Sequence, residues 1–411
     1  METNRERIQK DIEALAEFTA SEEGCTRFTY TEEFKKARNY IISQMKEAGL
    51  DVRENAAGTI IGRLEGKNPS APVIMTGSHF DSVKCGGNFD GQAGVAAALE
   101  TARVFKETGY VPERTVEFVA LPEEEGARFN GGLFGSRSMA GRLYGDEVHE
   151  AKDKDGISMA VAMKAYGLDP EDIASCIRKP GEIEAFLELH IEQGPILEKE
   201  GYDIGIVDCI VGIKSCIVVV EGRPDHAGTT PMNMRADSFQ AAAKAAVAGA
   251  DRAKELGDGT VFTVGRVETA PGAFNIVPGR TEFTIDCRSK NPESIESCLQ
   301  AVRDSLEASC RQVEGISYRL DEKLKVAPVQ MDGELKNVLK KSAEQSGFSY
   351  REILSGAGHD AMVMADIARV AMVFTQSREG RSHCPQEWTD YELLQKGIEV
   401  ICQSVKELSS R

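Results

Sequence analysis

No apolar run in this 411-residue chain approaches the ~18 residues that a membrane-crossing helix requires. Its amino terminus, METNRERIQKDIEALAEF, is charged from the start and has no apolar leader core. Both absences predict a cytoplasmic protein with no membrane partner. Positive charge is also in deficit, since 49 Lys and Arg against 66 Asp and Glu leave a net charge of −17. That balance excludes an anionic lipid surface and predicts no nucleic-acid partner. The ten cysteines (25, 85, 176, 209, 216, 287, 298, 310, 384 and 402) form no CxxC pair and no zinc-finger or disulfide-framework spacing, so reduced thiols are expected. Cys85 and Cys384 sit beside candidate site residues, and the expectation is that they are small packed thiols. No internal repeat or low-complexity tract is present, and the length exceeds the ~250–300 residues at which one core stops growing.

Histidine is scarce as well, with six in the chain. Five of them fall in short segments that also carry Asp, Glu, Gly or Arg. GSHFDSVKCGGNFDGQAG supplies His79, Asp81 and Asp90, directly after the apolar run Val73 to Met75, which ends in Thr76-Gly77-Ser78. LPEEEGARF carries Glu123, Glu124 and Glu125 after the strand-like run Val116 to Leu121, and the run Ala185 to Leu189 delivers His190 in ELHIEQGP. His226 follows in RPDHAGTTPM, His359 in SGAGHDAM and His383 in GRSHCPQEW. His149, in GDEVHEAK, lacks such company and reads as a surface residue.

Imidazole nitrogen and carboxylate oxygen hold zinc, manganese or cobalt, and a catalytic site must leave a position for water. Two such ions, roughly 3.5 to 4 Å apart, need about five protein ligands and one bridging carboxylate. His79, Asp90, Glu125, His190 and His383 meet that need, with Asp90 as the bridge. Asp81, on the same side of an extended chain as His79, is placed to take the other ring N–H of an imidazole. Glu124 is then free to act as the base. A scatter of unrelated histidines would explain any one of these alone, but five set among carboxylates and glycines at strand ends point to a site.

These segments resemble those of the dinuclear metallopeptidase and amidohydrolase clan that contains carboxypeptidase G-type enzymes, aminoacylases and aminotripeptidases. GSHxDSV, GGNFDG, EEEGARF, ELHIEQGP, DHAGTTPM, FNIVPG, SGAGHDA and the final SH resemble its hydantoinase/carbamoylase subgroup. That subgroup hydrolyses ureido compounds, as N-carbamoyl-L-amino acid hydrolases, β-ureidopropionases and allantoate amidohydrolases do. The match runs in unbroken motif order from about Thr31 to Trp388.

The periodicity predicts an α/β catalytic domain with a mixed sheet between helices. Thr31 caps an expected helix stopped by Gly49, with apolar Phe34, Ala37, Ile41, Met45 and Ala48 on one face. Strand-like runs at Thr59 to Leu64, Val73 to Met75, Val116 to Leu121 and Ala185 to Leu189 alternate with helical stretches such as Gly94 to Thr108. The chemical residues fall at strand ends, where open α/β sheets place their sites. A different rhythm follows: strand Ile213 to Glu221, helix Arg235 to Leu256, strands Thr260 to Val267 and Arg280 to Arg288, helix Pro292 to Val313, strand Ile316 to Leu324. That β-α-β-β-α-β order predicts an inserted α+β, ferredoxin-like domain at 212–326, between catalytic parts 1–211 and 327–411. The resemblance implies that the insert is a dimerisation and lid domain of a homodimer.

His226 stands in a Gly- and Thr-rich turn from which its ring could approach a developing oxyanion. Asn275 in FNIVPG and Arg288 in IDCRS would hold a substrate carboxylate, Arg288 by its fork. The resemblance implies the same for these three, and substrate contacts for Gln193 and His359. Asp360 is expected to orient His359 or cap a turn. The expected reaction cleaves the ureido C–N bond of a small anionic substrate, an N-carbamoyl-L-amino acid, to ammonia, carbon dioxide and the amino acid, with two divalent ions (Zn, Mn or Co). Allantoate or N-carbamoyl-β-alanine are the alternative substrates. An aminoacylase or peptidase of the clan, or a non-catalytic binding protein, stands behind these.

Overall fold

Thr31 caps the helix Glu32–Glu47 by accepting the Phe34 N–H, and Phe34, Ala37, Ile41 and Met45 form its buried stripe, as the sequence pattern predicts. The computed structural model that contains this helix describes residues 3–411. It divides into two units, the chain up to Asp208 together with Met331–Arg411, and Cys209–Gln330. The sequence pattern had set that second stretch at 212–326.

The strands of the larger unit are β1 (Asp51–Glu54), β2 (Ile60–Leu64), β3 (Val73–His79), β4 (Val116–Leu121), β5 (Ile183–Ile191) and β6 (Ile204–Ile210), then β13 (Tyr350–Ser355) and β14 (Arg369–Thr375) after the smaller unit. They run in the order β1-β2-β4-β3-β5-β14-β6, with β13 also on β6. The neighbours β4, β3, β5 and β14 are parallel, whereas β1, β2 and β6 pair antiparallel. This is a mixed sheet between helices. β3 and β4 are buried along their whole length, which is why they read as nearly unbroken apolar runs. The helix Gln92–Glu107 lies against β3, and the helix Tyr391–Ser409 against β5 and β14.

One strand outruns its sequence reading. Thr76-Gly77-Ser78 looks like a turn, yet β3 continues through it to His79, which pairs with Leu121. Gly77 permits this, because a Cβ there would lie 1.9 Å from the Val119 carbonyl oxygen. The extension puts His79 at the carboxyl edge of the sheet, level with the end of β4.

The smaller unit contains β7 (Gly212–Glu221), β8 (Val261–Thr263), β9 (Val267–Ala270), β10 (Arg280–Ser289), β11 (Ser317–Val326) and the short β12 (Val329–Gln330). Its sheet runs β11-β7-β10-β8, with β9 also on β10, and every pairing is antiparallel. With β8 and β9 taken as two pieces of one strand, this is the ferredoxin-like order. The single strand expected over 260–267 is thus broken, and both pieces add to β10. The helices Ser238–Leu256 and Pro292–Gln312 pack on this sheet around Cys216, Val218, Phe283, Ile285, Leu299 and Val302. The first begins three residues after the expected Arg235, because Asp237 caps it through the Gln240 N–H. Among the described residues, no helix is long and apolar enough to cross a membrane.

Candidate metal centre

His79 ends β3, His190 sits one residue before the end of β5, and Asp90 precedes the helix Gln92–Glu107. Their ligand atoms form one group within 4.8 Å, and Asp90, Glu125 and His383 form another. Asp90 belongs to both. Its Oδ1 lies 3.3 Å from His79 Nε2 and 3.1 Å from His190 Nε2, while its Oδ2 lies 3.2 Å from His383 Nε2. His383 Nε2 is also 3.3 Å from Glu125 Oε1. A third group joins His79 with Glu124 and Glu125.

Charge within the cluster is strongly coupled. Burial opposes ionisation of Asp90, but His190, His383 and His79 outweigh it and hold the carboxyl well below its usual range. Asp90 and Glu125 raise the His383 imidazole to about 11. Burial works against protonation of His79 too, and Glu124, Asp81 and Asp90 overcome it. Glu124 is pushed well above the usual carboxylate range by burial, with Glu125 and Asp360 adding to the effect. Three imidazoles and two carboxylates crowded in this way suit divalent cations, which would take the place of the protons held there. His190 makes a 3.0 Å contact from Nδ1 to the Ile191 carbonyl, which assigns its proton to Nδ1 and leaves Nε2 for a metal.

Local backbone explains how the ligands converge. Gly91 has φ +68°, and a Cβ there would come within 2.4 Å of the His79 ring. Only glycine lets the chain turn between Asp90 and the helix. Asp81 does less with its side chain for His79 than the sequence predicts. Its main-chain oxygen lies 3.3 Å from His79 Nδ1, with the nearer carboxylate oxygen at 3.6 Å. The carboxylate instead accepts the backbone N–H groups of Glu124 (3.1 Å) and Glu125 (3.2 Å). Asp81 therefore orients Glu124 and Glu125 together.

Gln193 reaches the cluster, its Nε2 donating to Asp90 Oδ2 at 2.7 Å. His359 lies buried beside His190. It is 2% exposed, bonds Ser355 Oγ through Nε2 at 2.9 Å, and packs its ring 4.4 Å from that of His190. Asp360 accepts from Ser136 Oγ at 2.6 Å and does not hold His359. His149 is exposed and pairs with Asp146 and Glu171. Cys85 and Cys384 are half-buried thiols.

His226, Asn275 and Arg288 belong to the smaller unit. The exposed His226 accepts the N–H groups of Gly228 (3.0 Å) and Thr229 (3.2 Å) at Nδ1, so its ring proton is assigned to Nε2. The chain at Asn275 runs beside it, as the Ala227 N–H donates to the Asn275 carbonyl at 2.9 Å. Arg288 Nε donates to Asp286 at 2.7 Å, so a substrate carboxylate would have to share that guanidinium.

Two residues outside the sequence reading support the centre. Glu387 is 4% exposed and accepts from the N–H groups of Phe89 (2.9 Å) and Asp90 (3.0 Å) and from Ser382 Oγ (2.8 Å). It stands four residues after His383 in the same motif, which is the only signal the sequence carried. Arg27 is fully buried and bonds to no carboxylate. Its Nε donates to the Phe80 carbonyl at 2.6 Å and its Nη1 to the Leu15 carbonyl, near the end of the helix Arg5–Ala16, at 2.6 Å. It ties that helix to the residue that follows His79.

The model of Peptidase family M20/M25/M40 matches residues 75–407. The chain is 46% identical over 403 residues to an N-carbamoyl-L-amino-acid amidohydrolase of Paenarthrobacter aurescens, covering 98% of each protein. It is 38% identical over 399 residues to an allantoate amidohydrolase of Bacillus subtilis (strain 168), covering 97% of this chain and 96% of that one. Among solved structures, an amidase of the hydantoinase/carbamoylase family from Burkholderia multivorans superposes with a TM-score of 0.93 at 30% identity, over 100% of this chain and 99% of that one.

Proposed function

This chain belongs to Peptidase family M20/M25/M40, and on that premise we propose that it is a dinuclear metal amidohydrolase that cleaves the ureido C–N bond of N-carbamoyl amino acids. The observation that carries the reading is the pair of ligand groups sharing Asp90, with Glu124 at their edge. The similarity to an N-carbamoyl-L-amino-acid amidohydrolase favours that substrate over allantoate.

His79, Asp90, His190, Glu125 and His383 would hold two divalent ions, zinc, manganese or cobalt. When bound, such ions acidify water and polarise the ureido carbonyl. Glu124 takes the proton of the attacking water, its Oε2 lying 3.8 Å from His79 Nε2. The Nε2–H tautomer of His226 suits a donor to the developing oxyanion. Gln193 positions Asp90 from one side, and Asn275 and Arg288 would hold the substrate carboxylate. Glu124 returns its proton to the departing nitrogen. In balance, R–NH–CO–NH2 and one water give R–NH2, carbon dioxide and ammonia. We infer that the active species is a homodimer, a reading supported by exposed apolar side chains on the smaller unit that include Met232, Met234, Val247 and Phe274.

The test is ammonia release by zinc- or manganese-loaded protein from N-carbamoyl-L-amino acids, N-carbamoyl-β-alanine and allantoate, with free amino acid released from an N-acetyl amino acid measured in parallel. Release from the carbamoyl amino acids is expected. Cleavage of the N-acetyl compound alone would move the chain to the acylase side of the family.

A further inference from the structure

A cavity of about 480 Å³ opens within the larger unit beside the ligand cluster. Gln193, Ser382 and His383 line it, and the same three side chains touch Asp90 at 2.7, 3.0 and 3.2 Å. Its wall also carries Ile196, Ile353 and Leu354. The one carboxylate there, Glu192, is engaged, accepting the N–H groups of Ile196 (2.7 Å) and Leu197 (3.0 Å). No lysine or arginine lines the cavity. Its volume falls within the roughly 300–1,000 Å³ of small-molecule pockets.

Substrate geometry decides what enters. With the ureido carbon at the ligand cluster, the α-carbon follows one nitrogen later and carries two further groups. The carboxylate needs a free cation, and the one cationic side chain on this wall, His383, is engaged by Asp90 and Glu125. An aliphatic side chain needs only apolar contact. The second ureido group of allantoate would instead lose hydrogen bonds to water against Ile353 and Leu354 and regain only part of them, at Gln193, whose Oε1 is unpaired, and at Ser382. We propose that this cavity is the side-chain subsite, and that it selects N-carbamoyl amino acids bearing a leucine- or methionine-sized apolar side chain over N-carbamoylglycine, N-carbamoylaspartate and allantoate. The inference rests on the ureido-hydrolase reading above.

The experiment compares kcat/KM of the metal-loaded enzyme for N-carbamoyl-leucine, -methionine, -glycine and -aspartate and for allantoate. The leucine compound is expected to exceed the glycine compound by at least about tenfold, as an apolar pocket allows, with aspartate and allantoate lower still. Ile196→Asp should reduce the leucine-to-glycine ratio by about 3- to 10-fold, while Ile196→Val keeps it. Ile196 is 39% exposed and opens the helix Ile196–Glu200, where an acid is tolerated, and an unshifted melting temperature identifies a folded variant. Leu354→Asn on β13 is the second variant and should act in the same direction. Equal turnover of the glycine and leucine compounds, allantoate as the best substrate, or unchanged ratios in both variants overturns the subsite and leaves ureido hydrolysis standing. Failure of every ureido compound overturns both.

Discussion

Glu124 and Glu125 are chain neighbours for which we propose different tasks. Asp81 accepts one N–H from each, which turns one carboxylate toward His79 and the other toward His383. Glu124→Gln should therefore retain both metals by elemental analysis while ammonia release falls by about 10²- to 10⁴-fold. Near-normal turnover would remove Glu124 as the proton carrier. Asp90→Ala should lose metal outright, since its two oxygens face three imidazoles. Glu387 bonds the Asp90 N–H and shares Ser382 with the Asp90 carboxylate, so Glu387→Ala should weaken metal affinity by about 10- to 100-fold. Titration with a chelating indicator measures it, and an affinity equal to that of the parent protein contradicts the role. The residues brought together around Asp90 stood out in the sequence because few side chains bind such ions and each lies in a short segment that also carries Gly, Asp or Glu. Glu387 and Arg27 were not, since their partners are backbone groups from distant segments, and such bonds leave no spacing to read.

Elements were legible wherever burial follows a simple period. β10 alternates half-buried and buried along its whole length, and the helix Glu32–Glu47 carries one apolar stripe. The readings failed where tertiary contact overrules local chemistry. Gly77 continues β3 because Val119 crowds it, and the run after Thr260 breaks where the Arg266 N–H donates to the Thr284 side-chain Oγ1 in place of a strand carbonyl, while the Arg266 carbonyl accepts the Thr284 N–H. Asp258 holds the start of β8 to the helix Pro292–Gln312, accepting from Thr260 Oγ1 (2.5 Å), Ser294 Oγ (2.7 Å) and Asn291 Nδ2 (2.9 Å). Its bond from Thr260 leads the effects that hold this carboxyl well below the usual range, and burial opposes them only in part. A depressed carboxyl stabilises the fold fully above its unfolded value of about 3.9 and loses that stabilisation as pH falls through the folded value. Asp258→Asn should cost roughly 1–2 kcal/mol at neutral pH. It should also flatten the acid dependence of stability below about pH 4, as measured by urea unfolding at a series of pH values. An acid profile parallel to that of the parent chain would contradict this.

The five proposed ligands lie at 79, 90, 125, 190 and 383, so the residues that would hold the ions come from both chain parts that make the larger unit, with 209–330 interposed between His190 and His383. Joining them is a long-range closure that the sheet achieves only in part. β14 pairs with β5 along Ala185 to Ile191, but seven residues then separate its last residue, Thr375, from His383. That ligand is half exposed and has φ +56°. Metal binding to the folded state alone raises stability, by about 2.7 kcal/mol at 100 times the dissociation constant, and that gain belongs to the segments that converge on Asp90. Removal of metal with a chelator should lower the melting temperature. In hydrogen exchange it should deprotect 79–92, 188–193 and 376–387, and leave the helices Ser238–Leu256 and Pro292–Gln312 of the smaller unit unchanged. Readdition of zinc or manganese should restore protection in the same segments. Equal deprotection of both units would mean that the ions stabilise the molecule by some route other than these ligands.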